Sequence, residues 1–176
     1  MTVKVMKFGG TSLGSCERIK AAARIVAEEA RKGASLAVVV SAMGKTTEGL
    51  LVLAGEVSCS GDRRELDQLL ASGEQQSAAL FSLALKDMGL KARSYTGAQA
   101  GIRAEGMSME GRISAIDPVA VKEGFERGEC AIVAGFQGQG ERGETLTLGR
   151  GGSDLTAVAL AAALGADDCL IYTDVD

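Results

Sequence analysis

The chain of 176 residues is long enough for one domain with a full core and short for two. Hydrophobic residues make up 46%, charged residues 24% and aromatics only 3%, an ordinary globular balance in which alanine and small aliphatics do most of the packing. A net charge of −4, no basic block, no tryptophan and only two tyrosines exclude the electrostatic and base-stacking signatures of a nucleic-acid partner.

The opening MTVKVMKFGG lacks the basic-then-apolar order of a signal peptide, and VKVMKF (3–8) reads as a short buried strand. In SCERIKAAARIVAEEARKG, Ile19, Ala22, Ala23, Val26 and Ala30 form one stripe at helical spacing, closed by Gly33. SLAVVVSA (35–42) is a β-branched run of strand length, and a helix over 46–57 follows it. A longer helix begins near Asp62, where Asp62 and Glu65 have capping-box spacing, and runs to about Met88. ARSYT (92–96) gives a weak strand signal, and 97–116 is glycine-studded without a clear period. Asp117-Pro118 marks a helix start, with Asp117 as N-cap and the sole proline at the first helical position. ECAIVAGF (129–136) is another buried strand and QGQGERGETLTLGRGG (137–152) a long glycine-rich connection. A helix over 153–164 and the strand CLIYTDV (169–175) close the chain.

Apolar strands alternating with helices predict an α/β fold, a three-layer α/β/α sandwich with a mainly parallel central sheet. Ligands of such sheets bind at the carboxyl ends of the strands, here the loops 7–14, 41–47 and 136–154. No apolar run reaches the length of a membrane span, so a soluble cytoplasmic protein with no membrane partner is expected. Cys16, Cys59, Cys130 and Cys169 are widely separated and histidine is absent, which argues against a zinc site and against imidazole chemistry. The cysteines read as small reduced packing residues. Because the sequence stops at a strand with no covering helix after it, a longer, C-terminally truncated parent chain is expected.

Three stretches carry chemistry. In MKFGGTS a strand runs into Gly9-Gly10 and then into a helix start offering Thr11, Ser12 and Ser15. Paired glycines let backbone N–H groups converge on an anion, a helix N-terminus favours negative charge, and Lys7 adds a mobile cation. The same residues also suit an ordinary tight turn with a surface lysine. In LGRGGSD, Ser153 and Asp154 can cap the helix that follows, a helix apolar on every face and so expected to be buried centrally. Arg150 among three glycines suits bidentate capture of a carboxylate. Glu74, beside Gly73, falls on the inward stripe Leu66, Leu70, Ser77, Phe81 and Met88 of its helix. A buried carboxylate needs a partner, either a cation of the protein or an ammonium group on a ligand. Together these residues describe a site for an amino acid and a polyphosphate. With a carboxylate as acceptor no general base is needed, and transfer rests on positioning and charge neutralisation. Asp154 then orients Lys7 or another cation.

KFGGTS, VVVSAMGKTT (38–47), LLASGE (69–74), SYTGAQAGI (94–102), AGFQG (134–138) and TLGRGGSDLTAVALAAAL (147–164) together resemble the aspartate kinases, a branch of the amino acid kinase family. The resemblance implies transfer of the ATP γ-phosphate to the side chain of L-aspartate, giving 4-phospho-L-aspartate on the way to lysine, threonine and methionine. It assigns Lys7 and Asp154 to catalysis, and Lys7, Phe8, Gly9, Gly10, Ser41, Thr173 and Asp174 to the nucleotide and its phosphates. Thr47, Glu74, Arg150, Gly151, Gly152 and Ser153 would hold the aspartate. It implies ATP and Mg²⁺ as cofactors, the metal held mainly by the ATP phosphates, and a homodimer or larger homo-oligomer. Residues 1–176 would be an amino acid kinase catalytic domain, incomplete at its C-terminus and without regulatory ACT-type domains. A kinase for a different carboxylate is disfavoured, because Glu74 and Arg150 together suit a free α-amino acid. A non-catalytic kinase fragment or assembly module is the alternative.

Overall fold

The computed structural model describes residues 2–149 and 151–173. Five strands form a parallel sheet: β1 (Val3–Phe8), β2 (Ser35–Val40), β3 (Ala92–Tyr95), β6 (Cys130–Ala134) and β9 (Asp168–Tyr172), in the order β3-β6-β2-β1-β9. Strand β1 pairs with β2 from Val3↔Ser35 to Phe8↔Val40, and with β9 as far as Phe8↔Tyr172. These strands are near-continuous apolar runs because helices cover both faces of the sheet.

On one face lie α1 (Cys16–Arg31) and α3 (Arg63–Asp87), whose Ile19, Ala22, Ala23, Val26, Ala78, Phe81 and Leu85 pack on Met6, Phe8, Val38, Val40 and Ile132. On the other lie α4 (Val119–Glu126) and α5 (Gly152–Leu164), packing Val121, Phe125, Ala157, Leu160 and Leu164 on Val5, Ala37, Val39, Ala131 and Val133. The three-layer α/β/α sandwich is therefore present. The strand alternation that divides these cores also places Lys7, with the parity of Val3 and Val5, on the α5 side. Helix α2 (Thr46–Val57) lies outside, with no fully buried residue.

A second sheet occupies the two segments expected to be irregular. Strands β4 (Ile102–Glu105) and β5 (Arg112–Ile116) form one antiparallel pair, β7 (Gln137–Gln139) and β8 (Thr145–Thr147) another, in the order β5-β4-β7-β8. The strands β7 and β8 are only three residues long.

Two local expectations need correction. Helix α4 begins at Val119, with Pro118 in the cap position and Asp117 Oδ1 accepting from Val119 N at 3.2 Å. An Asx-type bond has taken the place of a conventional N-cap. Helix α5 is not buried all round: Leu155 and Val158 are 57% and 55% exposed. Its outer face is apolar but uncovered. Among the described residues, no helix is long and apolar enough to cross a membrane.

Candidate functional site

The carboxyl ends of β1, β2 and β6 and the first turn of α5 enclose a cavity of about 370 Å³. Lys7, Gly10, Ser41, Thr47, Glu74, Gly151, Gly152, Ser153 and Asp154, all singled out from the sequence, line it. Ala42, Gly44, Glu48 and Phe136 complete the wall and had not been singled out. Two larger clefts, of about 650 Å³ beside α2 and about 630 Å³ beside α5, are lined mainly by apolar side chains. The smaller cavity is the chemical one, because a buried cation and a buried carboxylate face it.

Lys7 is not the surface lysine of an ordinary tight turn. Strand parity turns it toward α5, and it is 7% exposed, with Nζ 2.7 Å from Asp154 Oδ1. Asp154 itself is half exposed and stands in the first turn of α5. A carboxylate there is favoured by the helix N-terminus, and here it also fixes the direction of the lysine head.

The glycine pair acts by close approach. A Cβ on Gly10 would lie 2.8 Å from the carbonyl oxygen of Ala42, so only glycine lets the two loops touch. Gly44 N donates to Gly10 O at 2.9 Å and Ser41 N to Phe8 O at 3.2 Å, which bind those loops together. The chain after the glycines does not enter an α-helix directly. A single 3₁₀ turn, Thr11–Leu13, intervenes, and Ser15 caps α1 from outside the cavity. The helix-terminus field assigned to this loop therefore belongs to α5.

Glu74 is 4% exposed, and its Oε1 accepts from Ala42 N at 3.2 Å. Its Oε2 is buried without a hydrogen-bond partner among the described residues. Gly73 makes this possible: a Cβ there would sit 3.0 Å from Ala42 Cβ, so a side chain would push the helix off the loop. Burial pushes the Glu74 carboxyl up to about 7, and its own backbone N–H and that of Ala42 pull back only in part. Of the two partners the sequence left open, no protein cation pairs with it among the described residues.

Phe8, Gly9 and Thr173, expected at the nucleotide, are not among the residues that line the cavity. The Phe8 ring is buried in the core, stacked on Tyr172 with centroids 4.7 Å apart. Gly9 N donates to Tyr172 O at 3.3 Å, and the Thr173 carbonyl accepts from the Thr11 and Ser12 hydroxyls. Arg150 and Asp174 lie outside the described residues. Phe136, missed from the sequence, has φ of 65° and seats the turn after β6 against α5: its N–H donates to Thr156 Oγ1 at 3.2 Å.

A parallel sheet whose carboxyl edge carries a cavity lined by glycines, a fixed lysine and a buried carboxylate has the layout of a small-ligand site. The sequence profile of the amino acid kinase family matches residues 2–176, and the chain belongs to that family. It is 55% identical over 175 residues to an aspartokinase of Geobacillus stearothermophilus, covering 99% of this chain and 43% of that relative. The crystal structure of aspartate kinase from Synechocystis superposes with a TM-score of 0.82 at 47% identity, over 99% of this chain and 28% of that one. That of E. coli aspartokinase III in complex with aspartate and ADP gives 0.81 at 26% identity, over 98% of this chain and 49% of that one. The chain thus spans less than half the length of these relatives.

Proposed function

We propose that the cavity is the site at which an aspartate kinase transfers the γ-phosphate of MgATP to the side-chain carboxylate of L-aspartate. The product is 4-phospho-L-aspartate, the first intermediate toward lysine, threonine and methionine. The observation that carries this reading is Glu74, a buried carboxylate on the cavity wall with one oxygen unpartnered among the described residues. An ammonium group is the ligand that completes it. The relatives named aspartokinase, and the aspartate and ADP in the complex of E. coli aspartokinase III, support the same assignment.

In this reading Glu74 holds the substrate ammonium, and Thr47 and the first turn of α5, Gly152 and Ser153, receive its other end. Arg150 and Gly151 join them on sequence grounds. Lys7, aimed by Asp154, stands at the phosphoryl group, with Gly10 and Ser41 beside it. The acceptor carboxylate is already anionic at neutral pH. One of its oxygens forms the new bond to the γ-phosphorus as the bond to the β,γ-bridging oxygen breaks, and that electron pair leaves on ADP. No proton moves in the step, so the absence of histidine from the chain is no obstacle. Mg²⁺ enters with the nucleotide, carried on its phosphates.

The test is ADP release by this chain with MgATP, with and without L-aspartate, while hydroxylamine traps any acyl phosphate as the hydroxamate. Aspartate-dependent hydroxamate that disappears in Lys7→Ala is the expected result. Failure of the folded chain to bind L-aspartate, with or without MgATP, would overturn the reading and return the alternative, a non-catalytic module.

A further inference from the structure

We propose that Asp67, which lies outside the cavity, is a positioning residue that clamps the end of β8 at Thr147 to α3, and so sets how far Leu148 and the first turn of α5 beyond it stand from Glu74. The inference rests on reading the cavity as an amino-acid site and adds a residue through which that site keeps its dimensions.

Asp67 is completely buried, and among the described residues no lysine or arginine pairs with it. A buried carboxylate is expensive unless strong donors surround it. Its Oδ1 accepts from Thr147 N at 2.9 Å, from Thr147 Oγ1 at 2.5 Å and from Met109 N at 3.0 Å. All three donors come from the small sheet and its turn. Met109 has φ of 70°, a conformation unfavourable for its side chain, and the bond to Asp67 holds it there. The other oxygen, Oδ2, is buried with no partner among the described residues.

Thr147 ends β8, and the glycine-rich loop follows at once. Leu148 N is tied to Phe136 O at 2.9 Å, and the far end of the loop is held where Thr156 Oγ1 donates to Gly152 O at 2.7 Å. Those ties run to the turn after β6 and within α5. The two hydrogen bonds from Thr147 to Asp67 join the loop's leading end to α3. Asp67 and Glu74 are seven residues apart, two turns of one helix, so they share a face about 10 Å apart along it. Helix α3 then works as a strut, with the clamp at one end and the ammonium-binding carboxylate two turns further on. A second tie, Gln137 Nε2 to Ala71 O at 3.0 Å, holds β7 to the same helix and keeps the sheet in place if the clamp is opened.

The experiment compares the wild-type chain with Asp67→Ala, Asp67→Asn and Thr147→Val. Calorimetry measures the binding of L-aspartate and of MgADP, and native-state hydrogen exchange follows the amides of 147–154. The clamp predicts that Asp67→Ala weakens aspartate binding at least tenfold, leaves MgADP within twofold and speeds exchange in 147–154 at least tenfold. Exchange in the core of β1 and β2 stays unchanged. Asp67→Asn, which keeps a neutral acceptor, falls between, and Thr147→Val, which loses only the hydroxyl, weakens aspartate binding about threefold. Equal weakening of both ligands, or unchanged aspartate affinity in Asp67→Ala, overturns the proposal. If Asp67→Ala does not fold, the other two variants decide by the same criteria. If the wild-type chain binds no aspartate, the functional reading fails, and exchange alone judges the clamp: faster loop amides in Asp67→Asn support it, unchanged ones overturn it.

Discussion

Glu74→Gln should change how stability depends on pH. In the folded chain the Glu74 carboxyl is pushed from 4.5 to about 7, first by burial. Between those values the folded state keeps a proton that the unfolded chain has already released, so stability falls as pH rises through the window and levels off above it. The interval from 4.5 to about 7, at about 1.4 kcal/mol per pH unit, amounts to about 3 kcal/mol lost by pH 8. Glutamine is nearly isosteric and never ionises. Urea denaturation of both proteins from pH 4.5 to 8 should therefore show the wild type losing about 3 kcal/mol relative to the variant, which becomes the more stable at the upper end. A difference that does not vary with pH would refute the reasoning. Saturating L-aspartate supplies a control with the opposite sign: an ammonium ligand draws the carboxyl back down, so wild-type stability stops falling with pH and the variant shows no response.

Lys7→Ala leaves Asp154 half exposed and solvated, so urea midpoints should move by no more than about 1 kcal/mol. Hydroxamate formation should fall by about 10²- to 10³-fold, since one fixed donor at the transferring group is lost. Gly73→Ala places a methyl 3.0 Å from Ala42 Cβ and 3.4 Å from Thr46 Cγ2. Although alanine is the better helix former by about 1 kcal/mol, the overpacking should leave a net loss of about 1–2 kcal/mol by urea denaturation, together with weaker aspartate binding as Glu74 is pushed from Ala42. Asp62→Ala removes the side-chain cap that accepts from Glu65 N at 3.1 Å; thermal unfolding should show about 1 kcal/mol lost with ligand affinities unchanged.

What the sequence made legible follows from periodicity. Strands β1, β2 and β6 are covered on both faces, so they read as unbroken apolar runs, and α1 and α3 show a stripe because only one side of each meets the sheet. The second sheet was invisible because QGQ and TLT are too short to express a period of two and sit among glycines. Helix α5, built mainly from Ala, Leu and Val, has no polar face to orient it, so its uniform apolarity does not tell the covered side from the exposed one. Lys7 was legible as chemistry but not as geometry, although its parity with Val3 and Val5 pointed inward. Glu74 stood out as a charge on an apolar stripe. Asp67 carried the same signal, seven residues earlier on the same face, but with Leu66 beside it the stripe could be drawn through the neighbour.

The two buried carboxylates of α3 show how similar burial serves different ends. Each has one oxygen without a partner among the described residues. Asp67 draws three donors onto the other oxygen, and those donors belong to segments the helix must hold. Glu74 draws a single tertiary donor, the Ala42 N–H, and faces a cavity. Removing donors from a buried carboxylate raises the cost of its charge, and that cost is recovered when a cation arrives. A fully satisfied glutamate at position 74 would stabilise the fold and bind an ammonium group weakly, since the ligand would have to displace an existing partner. The incomplete shell at Glu74 and the crowded one at Asp67 are therefore complementary: the open carboxylate can select a ligand only while the strut that carries it is held rigid.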